Sequence, residues 1–485
     1  MKKRAEILIV VLLIMAGAVT TDAAFEPGPD DYPVTGFGAV GDGVTLNTEA
    51  IQQAIDRCAA EGGGRVVIPP GTYLSGTLVM KSRVELHVDR GATLLGSTDI
   101  SDYPEMEVEY RFYGEEWVQQ SLIFGEGLEE VALTGQGTID GQGGSFQAET
   151  RKKPDRYRNR PYLIRFTECQ GVTVRDLSLR NSAMWMQHYL ACDNVRILNL
   201  DVYNHCNKNN DMIDIDGCRD VIISGCRGDT DDDALTLKST GPRACENVVI
   251  SDCIISSHCN AIKCGTESTG GFKNITITNC IIKPSAEKEV IYGYPQGICG
   301  IALEIVDGGT MDGVSISNVL IQGPEVPLFI RLGNRARQHT PEAPVPAPGA
   351  LRNITVSQLV VKDAGRTGCS ITGIPGHRVE DISIENLQME LEGGATGYRL
   401  PGEVPELEEL YPESTMFGVL PASLFYVRHA KGIDLHRIRA EFKGKDPRDH
   451  VVAEDVEGFR YSGIGVKGIP APRVTIIDNT ENDEK

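Results

Sequence analysis

Aromatic side chains are scarce in this chain. They make up 6% of 485 residues, and only two are Trp. Together with 53 Gly, that scarcity argues against a helical bundle and for a turn-rich fold of short strands. Basic tracts are also missing. Lys and Arg number 47 against 68 Asp and Glu, a formal charge of −21. Such a surface excludes the electrostatic footprint of a nucleic-acid binder. It also disfavours non-specific adhesion to acidic polymers, so any such binding has to be local. Beyond the N-terminus, no run is apolar enough to cross a membrane.

Residues 1–24 have the pattern of a secretory leader. Lys2, Lys3 and Arg4 precede an apolar run from Ile7 to Val19, which is too short to span a bilayer, and small residues follow at Ala23 and Ala24. The expectation is a secreted or periplasmic protein with no membrane association once the leader is cleaved. Export permits disulfides among the 13 Cys. Their spacing points elsewhere, because Cys226, Cys253 and Cys280 recur every 27 residues inside an apolar pattern. We expect mostly buried thiols stacked as small hydrophobes, with a few bridges left open.

The segment Phe37 to Gly43 is a Gly-rich turn. Asn47-Thr48-Glu49 then offers a helix N-cap, and Ala50, Ile51, Ala54, Ile55 and Cys58 share one helical face. The Gly spacing matches neither phosphate-binding pattern. A helix over about 47–60 is expected to cover the open end of a solenoid.

The rest of the chain repeats itself. Val172-Thr-Val-Arg-Asp-Leu177, Val195-Arg-Ile-Leu-Asn-Leu200, Val221-Ile-Ile-Ser-Gly-Cys226 and Val248-Val-Ile-Ser-Asp-Cys253 share one pattern, which continues from Ile275, Val314, Ile354 and Ile382. Alternation at period two means a strand with one face inward. Asn194, Asp220, Asn247, Asn274, Gly313, Asn353 and Asp381 precede these runs and accept turn geometry. Asn274 and Asn353 also match the glycosylation pattern, but the repeat explains them more simply. A second strand precedes each run, as at Ile213–Ile215, Leu235–Leu237 and Ile262–Cys264. The expected fold is all-β: a right-handed parallel β-helix, regular from about Val84 to about Arg439. It forms one unit over 25–475 with an acidic disordered tail over 476–485. Insertions at 97–118, 338–349 and 399–421 map to one face, often the binding face.

Aligning the second strands on Ile213, Leu235 and Ile262 places Asp211, Asp233 and Asn260 in one column, with Trp185 near it one coil earlier. Asp232 neighbours Asp233 and points differently. Three carboxylates forced together raise at least one proton affinity, and one acid beside one base is what glycosidic hydrolysis requires. A run of three Asp alone is an ordinary solvated turn, and clustered carboxylates also suit calcium. Asp211, one coil earlier in the same column, favours acid/base chemistry.

These residues in this fold resemble glycoside hydrolase family 28, the polygalacturonases and their relatives. Asn209-Asn210-Asp211 resembles the family's Asn-Thr-Asp motif, and Asp232-Asp233 its Gly-Asp-Asp motif. The resemblance implies that Asp232 is the general acid and that Asp211 and Asp233 activate the attacking water, with inversion. Two family motifs are altered. Near Asn260, where the family has Gly-His-Gly, no His is in register; His258 either substitutes through a shifted loop or is a surface residue. The family's Arg-Ile-Lys falls at Ala302-Leu303-Glu304, without either cation. An acid cannot pair with a uronate carboxylate, so the sugar there is neutral or is held by other cations, among them Lys263, Arg331, Arg335 and Arg337. Lys263 and Glu304 are expected to pair with each other.

The candidate substrate-binding set is Asn209, Trp185, His188, Lys238, His258, Asn260, Lys263, Glu267, Glu304 and Arg331. No metal or organic cofactor is expected, and the expected partner of a monomeric protein is a polysaccharide or oligosaccharide. The sequence reads as an inverting hydrolase of pectin-like polysaccharide. A calcium-dependent polysaccharide lyase or a non-catalytic carbohydrate-binding solenoid remains the alternative.

Overall fold

A computed structural model describes residues 31–477, apart from 116, 149, 151, 153 and 154. The leader over 1–24 and most of the acidic tail lie outside these residues. Ile476 and Ile477, which the sequence reading assigned to the tail, belong instead to the strand Val474–Ile477.

The chain winds as a right-handed parallel β-helix in which each coil hydrogen-bonds to the next. Repeat runs stack in register: Val195 pairs with Val221, Val221 with Val248 and Val248 with Ile275. The alternation seen in the sequence becomes an inward row. Ile223, Ile250 and Ile277 lie one above another, each fully buried. The preceding strands form a second sheet, including Ile213–Asp216, Leu235–Ser239, Asn260–Ser268 and Cys299–Ile305. A third sheet of very short strands, such as Asp201–Asn204, Arg227–Thr230 and Ile254–Ser257, was not foreseen. At two to four residues each, its strands are too short to show a period of two.

Both corners of the repeat are built by residues with positive φ. Asp220, Asn247 and Asn274 lie at 55–57° and the Asn side chains bond along the stack, Asn247 to Asp220 and Asn274 to Asn247, each at 2.9 Å. A second row, including Asp176, Asn199 and Asn318, does the same at the other end of the run, with Asn199 bonded to Asp176 at 3.0 Å. Asn and Asp tolerate this backbone because a short polar side chain satisfies its neighbours locally.

The β-helix extends past both expected limits. Asp31–Pro33 already pairs with residues 65–67, and Val474–Ile477 with 451–454. The helix α1 (Thr48–Ala60) buries Ile51, Ala54, Ile55 and Cys58 in the core against the first coil. Asn47 does not cap it with its side chain. Its carboxamide bonds Val40 on both main-chain atoms, at 2.7 and 3.1 Å, and so ties the Gly-rich turn to the helix start. All 13 Cys are free thiols and all but Cys206 are buried, so no bridge forms. Cys226, Cys253 and Cys280 stack inside the core as their spacing suggested. No helix of the described residues is long and apolar enough to cross a membrane.

Ile250 is sandwiched between Ile223 and Ile277 with no exposed surface. Ile250→Ala should therefore cost about 2–5 kcal/mol of stability, read as a lowered midpoint in denaturant unfolding.

Candidate active site

The register of the second sheet assembles the site. Ile213, Leu235 and Ile262 pair across three coils. Just before them the ladder continues: Met186 N–H donates to Asp211 O, Met212 N–H to Asp233 O and Ala234 N–H to Asn260 O, at 2.9–3.1 Å. Trp185, Asp211, Asp233 and Asn260 therefore occupy one column on successive coils. Asn210 anchors the approach to Asp211 by donating to Ser182 O at 2.8 Å. Buried Arg160 holds the same loop through Ala183 O, Lys208 O and Asn209 Oδ1.

Asp233 is gripped on both oxygens. Oδ1 accepts from the Asn260 amide nitrogen at 2.6 Å and from its N–H at 3.1 Å, and Oδ2 accepts from Lys263 Nζ at 3.0 Å. Burial alone would raise its proton affinity, but Lys263 and Lys238 outweigh it and hold Asp233 below the usual carboxylate range. Asp232 goes the other way: burial and the adjacent Asp233 charge push it up to about 7. Asp211 is raised well above normal by burial, then by Asp214 and Asp232, and its Oδ1 has no hydrogen-bond partner. Asp214, raised to about 8 chiefly by burial, lies beneath it. Lys238 Nζ sits among these groups, 3.3 Å from Asp214, 3.6 Å from Glu267 and 3.8 Å from Asp211, and 4.6 Å from the centroid of the Trp185 ring. The column thus separates one carboxylate held ionised from another held protonated near neutral pH.

A cavity of about 400 Å³ opens over these groups. Its walls are segments outside the regular repeat. They contribute Tyr113 and Trp117 from the 97–118 insertion, Arg335 and Arg337 from the stretch just before 338–349 and Tyr411 and Glu413 from the 399–421 insertion, with Arg156, Tyr157 and Tyr292 from loops not singled out in the sequence. Tyr162 comes from a strand of the second sheet, and Trp185 from just before another, Gln187–Leu190. Eight aromatic side chains, both Trp among them, line this cavity. They carried no periodic signal that could have placed them.

Of the residues proposed from sequence, Asp211, Asp232, Asp233, Asn209, Trp185, Lys238 and Glu267 line the cavity. Asn260 and Lys263 lie one layer behind, bonded to Asp233, and Lys263 also reaches Tyr411 Oη at 3.0 Å. The remaining candidates are displaced. His188 is fully buried under Tyr162 and Trp185, with Nε2 3.2 Å from Asp216. His258 is neither a substitute His in the cavity nor a surface residue; it is fully buried with Nδ1 2.9 Å from Asp231. Arg331 is buried and its donors are spent on Thr372 Oγ1, Gly373 O and Glu406 O. Glu304 does not pair with Lys263. Lys263 lies opposite Ala302 and turns to Asp233, while both Glu304 oxygens stay unbonded and burial raises that group to about 8.

The raised proton affinity of Asp232 has a stability consequence. The unfolded chain gives up this proton near its ordinary 3.8, the folded chain only near 7. The group's contribution to stability is therefore fully present at low pH and is lost as pH rises through about 7. Asp232→Asn should raise the melting temperature relative to the unchanged protein at pH 8, and raise it less at pH 4.

Comparison with known proteins places this geometry. Residues 58–397 match the model of glycosyl hydrolases family 28. A probable polygalacturonase of Vitis vinifera is 35% identical over 213 residues, which is 42% of this chain and 43% of the relative. An exo-poly-alpha-D-galacturonosidase of Dickeya chrysanthemi is 26% identical over 255 residues, 43% and 42% of the two chains. The matched part is less than half the length of either relative. Among solved structures, an exopolygalacturonase from Thermotoga maritima superposes with a TM-score of 0.62 at 23% identity, covering 75% of this chain and 88% of that one. A family 28 exopolygalacturonase from Yersinia enterocolitica gives 0.61 at 20%, covering 92% and 79%. With the family model matching residues 58–397, well over half of the chain, and the carboxylate column in place, this chain belongs to glycoside hydrolase family 28.

Proposed function

We propose that the protein hydrolyses glycosidic bonds of a pectin-like polysaccharide, with inversion at the anomeric carbon. The observation that carries this reading is the split between Asp232, pushed up to about 7, and Asp233, held ionised, on the floor of one cavity. Asp232 gives its proton to the glycosidic oxygen as the bond to the anomeric carbon breaks. Water attacks that carbon from the opposite face and loses its proton to Asp233, with Asp211 orienting it. The product carries a new hydroxyl and Asp232 is left ionised; proton exchange with solvent resets both carboxyls.

The relatives named above are polygalacturonases, which supports a galacturonan as substrate. Ala302 and Glu304 leave the usual place for a uronate-reading cation empty of charge. Lys238, Arg335 and Arg337 line the cavity instead, and a uronate held by them reconciles the altered motif with the family. Walls on several sides of a cavity of about 400 Å³ suit the end of a chain rather than its middle, so the expected product is a single sugar.

The test is a product assay on homogalacturonan, rhamnogalacturonan and neutral α-glycosides, followed by NMR. Galacturonic acid appearing first as the β anomer supports the reading. An unsaturated product, or retention of configuration, would sink it. Asp232→Asn should lower kcat by about 10²–10⁴-fold and spare binding. Because the reaction needs Asp232 protonated and Asp233 ionised, activity should fall as pH rises through about 7.

A further inference from the structure

Asp231 directly precedes the general acid of the proposed reaction, yet it does not face the cavity. Its carboxylate is fully buried and turned to the 287–294 segment. Oδ1 accepts the N–H of Ile291 at 2.8 Å and Oδ2 the N–H of Tyr292 at 2.9 Å. The His258 ring completes the set, with Nδ1 2.9 Å from Asp231 Oδ1 and Nε2 3.3 Å from Glu287 O. Both ring nitrogens therefore face oxygen acceptors, and the ring is held at both ends. The main chain adds to this: Tyr294 N–H donates to His258 O at 2.8 Å. Gly293 sits so close to that carbonyl that a Cβ would come within 1.9 Å of it. On the same turn, Thr230 and Ser257 hydroxyls fix Asp232 O at 2.9 and 2.7 Å.

We propose that Asp231 and His258 are positioning residues. Together they clamp the 287–294 segment beneath the turn that carries Asp232, and so hold Tyr292 as the cavity wall on the leaving-group side of the general acid. Three observations join here. Tyr292 lines the cavity; its main-chain N–H is carried by Asp231; and Asp232, the neighbour of Asp231, lines the same cavity. A general acid must touch the glycosidic oxygen, which departs with the leaving sugar, so a wall beside Asp232 borders that sugar. Buried charge-assisted bonds of this kind hold a loop far more rigidly than surface contacts.

The proposal rests on the hydrolase reading, and its test separates the two. Asp231→Asn, Tyr292→Ala and the double variant are assayed on a galacturonan trimer and on an aryl α-galacturonide, whose phenolate leaves without needing the acid or the neighbouring sugar site. Each single variant should lose about tenfold in kcat/KM on the trimer and stay within about twofold on the aryl substrate. The double variant should be no worse than Asp231→Asn alone, because both changes remove the same wall. Hydrogen exchange of segment 287–294, measured without substrate, should quicken in Asp231→Asn. Should Asp231→Asn fail to fold, His258→Gln is expected to show the same pattern at smaller size. Equal losses on both substrates, additive losses in the double variant or unchanged exchange would overturn the clamp. If the unchanged protein cleaves neither substrate, the hydrolase reading fails, while the exchange measurement still judges the clamp.

Discussion

Parallel strands one coil apart cannot separate. Backbone hydrogen bonding keeps neighbouring coils about 4.8 Å apart, so any residues sharing a column are held at that spacing whatever their charge. Asp211 and Asp233 share one, and Asp232 and Asp214 adjoin it. Their repulsion cannot relax by moving the backbone, and it adds to the larger effect of burial on their proton affinities. Asp214 and Asp232 rise to about 8 and 7, and Asp211 rises with them. Two buried lysines decide which carboxylate stays ionised. Lys263 bonds Asp233 directly, while Lys238 lies 3.3–3.8 Å from three carboxylates without committing to one. A charge group of this kind is a cost to folding, and the long aliphatic stack beneath it, with Ile223, Ile250 and Ile277 as one row, provides the rigid support that keeps it assembled.

The division of labour between repeat and insertion follows from the same geometry. The repeat supplies the carboxylates, since only a fixed register can hold like charges at a set spacing. The segments that leave the repeat supply shape. Tyr113, Trp117 and Tyr411 sit on insertions, and Tyr292 on a loop stitched to Asp231. Some aromatic rings, such as Phe166, Tyr189 and Phe272, pack inside the solenoid, and those on the insertions form a wall. Cations follow the same pattern. Arg335 is braced by Asp307 and Thr266, and Arg337 by Glu267, with its guanidinium over the Tyr113 ring.

Altered family motifs find a physical reading here. Where the family carries a His near the second carboxylate, Asn260 uses both its amide and its main-chain N–H on Asp233. Where the family carries two cations, Ala302 leaves room behind Lys263 and Glu304 is buried without a hydrogen bond. Lys263 turns from the expected partner to Asp233 because an ionised carboxylate one coil back is a better partner than a buried acid raised to about 8.

Much of the fold was legible in the sequence. The Val-x-Ile-x-Asn-x runs specify inward side chains, positive-φ corners and a coil length, all of them local or strictly periodic properties. The column of Asp211, Asp233 and Asn260 followed because register in a parallel stack is set by that same period. The third sheet and the end coils were not legible, since two- to four-residue strands and terminal coils carry too little pattern. Nor could the sequence tell which polar residues face the cavity. His188, His258 and Arg331 carry the right chemistry, but which outward-facing side chains reach the cavity depends on the segments that cover them. Only the packed structure, by offering Asp216, Asp231 and Glu406 O as partners, kept them out of the cavity. Spacing along the chain determined where the carboxylates meet. What closes over them was decided by insertions whose shape depends on contacts between residues far apart in sequence, and such contacts leave no local pattern to read.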